Sequence, residues 1–250
     1  SLATLLLNPD KSEVAFFGAW QRLCRMTLPQ TVNIAGCAVQ VSGTLKTLGV
    51  KLDSTLTFES HINDIIRACN FHIRALRHLR RDLTKEVANT MACSIVGSRI
   101  DYCNSLLYGV SGKVLDKLQR VQNHLARVVC NVGLRDRHTI DLLRSLHWLP
   151  VRSRITFKVA TLTFKAHKLG QPSYLEPLLQ PAEVARDLRS SVSVHGLLHK
   201  PRSRTEIGAR RFSSAAPAVW NALPASVRES ATIGSFKSHL KTHLFHQHFD

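Results

Sequence analysis

Short apolar runs broken by turn residues open the chain, and a helical period then takes over. Val14-Ala15-Phe16-Phe17-Gly18, Thr31-Val32-Asn33-Ile34 and Cys37-Ala38-Val39-Gln40-Val41 are β-prone and bounded by turn residues such as Gly36 and Gly43. Leu45 to Leu52 is a further extended candidate. From Glu59 to Leu83 the spacing becomes helical, with Ile62, Ile65, Ile66, Cys69, Ile73, Leu76 and Leu83 on one face. Thr84 predicts the N-cap of a second helix through Val87, Met91, Ile95 and Val96. A third, Lys113 to Cys130, buries Val114, Leu118, Val121, Leu125 and Val128, with Gly109 and Gly112 punctuating its approach. After Pro150 a helix carries Ile155, Val159, Leu162, Ala166 and Leu169 as its aliphatic stripe. Phe157 and Phe164 project elsewhere on it, so it is either sandwiched between apolar neighbours or presents the pair at a contact surface. Beyond Pro172 the chain is interrupted by Pro177, Pro181, Pro201, Pro217 and Pro224, and Lys200-Pro201-Arg202-Ser203-Arg204 reads as a loop. The last helix is predicted to start with Ser235 as N-cap and to turn Phe236, Leu240 and Leu244 inward. The pattern predicts a mainly α chain with a small β-containing N-terminal part.

The same periods sort the cations. At about 100° per residue, Arg67, Arg74, Arg77 and Arg81 fall together, with Asn63 and Asn70, well away from the Ile/Leu stripe. Lys117, Arg120, His124 and Arg127 gather on a flank of the third helix, and Arg154, Lys158, Lys165 and Lys168 lie beside the aliphatic stripe of the helix after Pro150. Residues 131–170 are the most lopsided stretch: Arg135, Arg137, Arg144, Arg152, Arg154, Lys158, Lys165 and Lys168 face only Asp136 and Asp141.

Composition makes those faces matter. With 250 residues the chain holds one large domain or two small ones, and 44% apolar content excludes a disordered tail. Thirty-four Lys and Arg against 17 Asp and Glu leave +17, a surplus that phosphate neutralises most naturally. No run approaches the roughly 18 apolar residues of a spanning helix. The opening SLATLLLNPDKSE has no charged n-region before its apolar run, which reads as a start in mid-pattern and not as a signal peptide. Cysteines stand at 24, 37, 69, 93, 103 and 130 with no C-x-x-C pair, so buried free thiols of an intracellular protein are expected.

Seven segments occur in an order that carries more than any one of them: LLLNPDKSEVAFFG, LGVKLDSTLTFESHI, DYCNSLLYG, LQRVQNHLARVV, LHWLPVRSRITFK, APAVWNALP and SFKSHLKTHLF. Together they resemble the C-terminal part of the reverse transcriptase of non-LTR, LINE-type retrotransposons, in particular the CR1/L2-like group. The resemblance implies an end-of-palm remnant at 1–58, a helical thumb at 59–130 and a basic, mainly helical C-terminal extension at 131–250. It matches Lys11 to a lysine suspected of assisting pyrophosphate departure, and Leu48-Gly49-Val50 to the hairpin that supports the primer end. It implies template–primer and element RNA as partners, alongside upstream polymerase and endonuclease domains, in a ribonucleoprotein of nucleus and cytoplasm with no membrane attachment.

Polymerase chemistry requires carboxylates around paired Mg²⁺ ions. No adjacent Asp-Asp occurs, and Asp10, Glu13, Asp53, Glu59 and Asp64 are scattered, so Mg²⁺ is implied for the parent polymerase only and the segment alone is expected to be inactive. Candidate nucleic-acid contacts are Arg67, Arg74, Arg77, Arg81, Lys117, Arg120, Arg127, Arg154, Lys158, Lys165 and Lys168; the alternative is a set of solvated faces. Trp148 and Trp220 suit core anchors better than stacking platforms. His239 and His243 have a zinc-compatible i, i+4 spacing but no third ligand type beside them, so no metal is assigned, and with His246 and His248 they are expected to be solvated or phosphate-facing. A domesticated or stand-alone helical module binding acidic proteins is the competing function.

Overall fold

A computed structural model describes residues 8, 11–133, 138–182 and 196–250. The first seven residues, Pro9, Asp10 and the basic stretch's Arg135, Asp136 and Arg137 lie outside the described residues. The chain is mainly helical with two small β-hairpins. It divides into two compact units, Ser1–Asp64 and Ile65–Asp250.

In the first unit, β1 (Thr31–Ile34) pairs antiparallel with β2 (Cys37–Gln40), and β3 (Thr44–Thr47) with β4 (Val50–Asp53). Both hairpins turn through two residues at positive φ, Ala35-Gly36 and Leu48-Gly49, the backbone twist that two-residue hairpins favour. The expected extended run at 14–18 reduces to a single bridge, Val14 to Val41. Asp53 closes the unit: its carboxylate accepts from the Thr57 and Phe58 N–H groups (2.8 and 2.7 Å) and from the Thr55 hydroxyl. Burial opposes its ionisation, yet these donors together hold the carboxyl below its ordinary range. Glu13 accepts from the Lys46 N–H at 3.1 Å, so this acid has a local structural partner.

Helix α1 (Glu59–Leu79) starts after that turn and buries Ile62, Cys69, Ile73 and Leu76, while Ile65 and Ile66 are only half-buried. It stops four residues before the expected Leu83. Arg80–Asp82 form a 3₁₀ turn, and Leu83 becomes extended so that Thr84 can cap α2 (Lys85–Met91) by accepting from the Val87 N–H. The path of α2 continues through a π-helical stretch, Ala92–Gly97, into Ser98–Asp101. Along this path Ala88, Ala92, Val96 and Ile100 are buried, whereas Val87 and Ile95 are exposed.

α3 (Gly112–Cys130) buries all five predicted aliphatics. α4 (Thr139–Ser145) leads to the LHWLP turn and α5 (Val151–Leu169). The polar residues of α3 organise that turn. Gln122 donates to the Leu149 carbonyl at 2.9 Å, and Gln119 accepts from the Val151 N–H at 2.9 Å, an orphan donor of the α5 first turn. These bonds link residues on either side of position 130 within the compact unit Ile65–Asp250.

α5 is enclosed by α6 (Phe212–Asn221) and α7 (Ile233–Phe249). Phe164 stacks on Phe236 (centroids 4.4 Å) and sits beside Trp220 in the core, which settles the sequence alternative for Phe164 in favour of a sandwiched helix. Leu169, expected inside, is exposed. Thr232, not Ser235, is the α7 N-cap, and Ser235 completes a reciprocal capping box. Trp148 and Trp220 are buried, donating to Asn89 Oδ1 (3.1 Å) and the Gly196 carbonyl (2.7 Å). Asn221 pairs with both backbone groups of Leu198, holding residues 196–199 against the α5–α7 core. Of the six free cysteines only Cys69 is buried, which corrects the expectation; burial pushes its thiol up to about 11. No helix among the described residues is long and apolar enough to cross a membrane.

Candidate nucleic-acid interface

Arg67, Arg74 and Arg77 are exposed on α1, outside its buried stripe, and Arg81 is exposed on the following 3₁₀ turn. Beside their C-terminal end, the last turn of α3 presents carbonyls without intrahelical partners, the negative pole of that helix. Two arginines bond carbonyls there, one in this last turn and one just beyond it. Arg80 Nε donates to the Val129 carbonyl (2.9 Å), and Arg127 donates to the Gly133 carbonyl and to the Thr139 hydroxyl (2.9 and 3.0 Å). Arg77, Arg80, Arg81, His124 and Arg127 thereby surround a groove of about 430 Å³ that Val128 and Val132 also line, with no carboxylate among the described residues of its lining.

His124 sets the electrostatic state of the groove. Its Nε2 contacts the Arg77 guanidinium, an arrangement that requires this nitrogen to be unprotonated and to accept. Burial, and next the Arg77 charge, hold the imidazole below its ordinary range. Arg77 and Arg81 keep their guanidinium forks at the surface, suited to paired phosphate oxygens.

The remaining predicted residues are dispersed. Lys117 is half-buried and Arg120 exposed on the same flank of α3. Arg154 is drawn inward: it pairs with Asp101 and donates to the Leu149 carbonyl (3.0 Å), so its charge is committed to the fold. Lys158 and Lys165 line a separate cavity that shares no residue with the groove, and Lys168 is exposed outside both linings. Lys11 is exposed, its N–H bonded to the Asn8 carbonyl. Leu48 is 86% exposed at its hairpin tip, whereas Val50 is buried.

Arg80 was not singled out from the sequence, because its period places it off the arginine stripe; only the α3 terminus beside it gives it a role. Lys237 and Lys241 were also missed as site residues, although their i, i+4 spacing on the last helix was a readable signal. On the same helix His239 bonds Ser230 and His246 pairs with Asp250. Among the described residues no three His, Cys, Asp or Glu side chains assemble as a metal site, and the acids present do not fit a two-metal polymerase centre. No family model, curated protein or solved structure matches the chain.

Proposed function

We propose that this chain grips the sugar–phosphate backbone of nucleic acid through the arginine face of α1 and the groove it forms with the end of α3. The observation that carries this reading is a groove ringed by four arginines, with no acid among the described residues that line it, on a chain of net charge +17. Two of the four cap carbonyls, which fixes the wall, while Arg77 and Arg81 remain exposed for phosphate. Such contacts position a strand without reading its bases. Combined with the seven-segment resemblance, the role is to clamp template–primer or element RNA within an RNA-directed DNA polymerase of a non-LTR retrotransposon, working in a ribonucleoprotein of nucleus and cytoplasm. The exposed Leu48-Gly49 tip of the β3–β4 hairpin would support the primer end in that assembly.

Binding of a labelled primer–template duplex over a salt series tests the proposal. Affinity should fall with a slope of about −0.9 per phosphate contact. The Arg74→Gln/Arg77→Gln/Arg81→Gln variant should stay folded, since Gln is a comparable helix former, and should lose affinity while flattening the slope by about one per contact removed. Binding that is indifferent to salt, or unchanged in this variant, sinks the proposal. Poly-glutamate bound as tightly as the duplex would instead favour a module for acidic protein partners.

A further inference from the structure

A second concave surface lies between the α2 path, α5 and α7, and its chemistry differs from that of the groove. Its volume is about 560 Å³, inside the roughly 300–1,000 Å³ typical of small-molecule sites. Four lysines line it, Lys158 and Lys165 from α5 and Lys237 and Lys241 from α7. One carboxylate, Asp101, also lines it, and that group is already engaged by Arg154. The wall includes Trp148, Leu162 and the half-buried Phe157, so apolar and aromatic surface adjoins the cations.

An independent observation concerns Asn104, which lines the same cavity and is only 3% exposed. Its Nδ2 donates to Asp101 Oδ1 (3.3 Å), which fixes the amide's orientation, since a flipped amide would set two acceptors against each other. Its Oδ1 is then a buried acceptor with no hydrogen-bond partner. Buried acceptors are normally satisfied, and this one, closed to solvent within a residue of the cavity wall, is an exception that a donor reaching it from the cavity would remove. The π-helical stretch that carries Cys93 to this wall is also a distortion often found at functional sites.

We propose that this cavity binds a 5′-phosphorylated nucleotide, its phosphate held by Lys158, Lys165, Lys237 and Lys241 and an N–H of its base directed to Asn104 Oδ1. Lysine ammonium groups act as point charges for a phosphate monoester, and every base offers an N–H and a flat face for the aromatic wall. The nucleotide comes either free or as the phosphorylated 5′ end of a strand. The proposal does not rest on the groove of α1 and α3.

Calorimetry on the whole chain with adenosine 5′-monophosphate, inorganic phosphate and adenosine tests it. The monophosphate should bind better than either part. Lys237→Gln/Lys241→Gln, both on the exposed side of α7, should weaken it by about tenfold or more if two charge-assisted bonds are lost. The Arg77→Gln/Arg81→Gln variant should leave it unchanged. Asn104→Leu should lower affinity for the nucleotide and not for inorganic phosphate. Bound monophosphate should also slow alkylation of Cys93, mapped by mass. A 5′-phosphorylated decanucleotide that displaces the nucleotide, when its 5′-hydroxyl twin does not, identifies the strand end as the source; displacement by neither identifies the free nucleotide. No saturable monophosphate binding, or binding untouched by the α7 lysine variant, overturns the proposal. Equal effects of Asn104→Leu on monophosphate and inorganic phosphate overturn its base-directed half.

Discussion

The arginine face of α1 and the lysine face of α5 look alike as cationic helix stripes, but they have different neighbours. The α1 arginines stand beside a helix end where Arg80 bonds the Val129 carbonyl and Arg127 the Gly133 carbonyl just beyond it, and the result is a cationic wall. The α5 cations face α7 and the α2 path, which add two more lysines, an aromatic wall and a buried amide. One stripe member, Arg154, is lost to a pair with Asp101. A basic stripe therefore does not define a surface; the element across from it does. A wall of arginine forks suits a continuous backbone of diesters, and lysines set beside aromatic surface and a buried amide suit one monoester with something flat attached.

Three perturbations separate the regions, beginning with the largest. Phe164, 1% exposed against Phe236 and Trp220, anchors the helix that carries Lys158 and Lys165. Phe164→Ala should cost about 3–5 kcal/mol in urea unfolding and abolish nucleotide binding at the cavity. At a temperature where this variant stays folded, duplex binding by the groove should persist; loss of both in step would show that the regions are not separable.

Arg154→Met comes next. It strips Asp101 of its main cation, in a site where burial already holds that carboxyl above its ordinary range against the pull of Arg154 and Lys158. Asp101 keeps partial access to solvent, so the expected loss is about 1–3 kcal/mol, below that of a fully buried pair. Asp101→Asn/Arg154→Met should recover part of it, because the stranded charge is gone. Arg77→Gln at the groove should cost almost nothing by the same assay. Equal costs at Arg154 and Arg77 would erase the distinction between a cation drawn into the fold and one exposed at the surface.

Sequence periodicity was sufficient for the helices whose burial repeats every three or four residues, as the five aliphatics of α3 show. It was less informative where local winding changed: a π stretch follows Met91, and Leu83 is extended before the Thr84 cap, so α1 ends early. The motif residues were visible, but their work was not. Gln119, Gln122, Asn89 and Asn221 satisfy backbone or indole groups far away in sequence, which no local spacing encodes. The arginine face was legible from its angle on the helix. The cavity was not, because α5 and α7 meet through long-range packing such as the Phe164–Phe236 stack.

The smallest expected effect is also the most discriminating, and it comes from pH. His124 faces Arg77, Arg80 and Arg81 from the α1 side and Arg127 on its own helix; burial first, then Arg77, keep it from protonating in its ordinary range near about 6.5. A histidine whose folded-state pKa is lowered binds fewer protons folded than unfolded. Its full contribution to stability is therefore present above about 6.5 and is lost as pH falls toward the folded value. His61 and His167, both lowered chiefly by burial, act in the same direction. The urea midpoint should drop modestly from pH 7.5 to 5.5, and less so in His124→Gln. Across the same window a phosphate monoester passes through its second pKa of about 6 and loses charge, whereas diesters do not. Nucleotide affinity at the lysine cavity should weaken by roughly threefold or more as the dianion is lost. Duplex affinity at the arginine groove, measured at fixed salt, should hold steady or rise as His124 begins to protonate. Identical pH profiles for the two ligands would mean that one surface binds both.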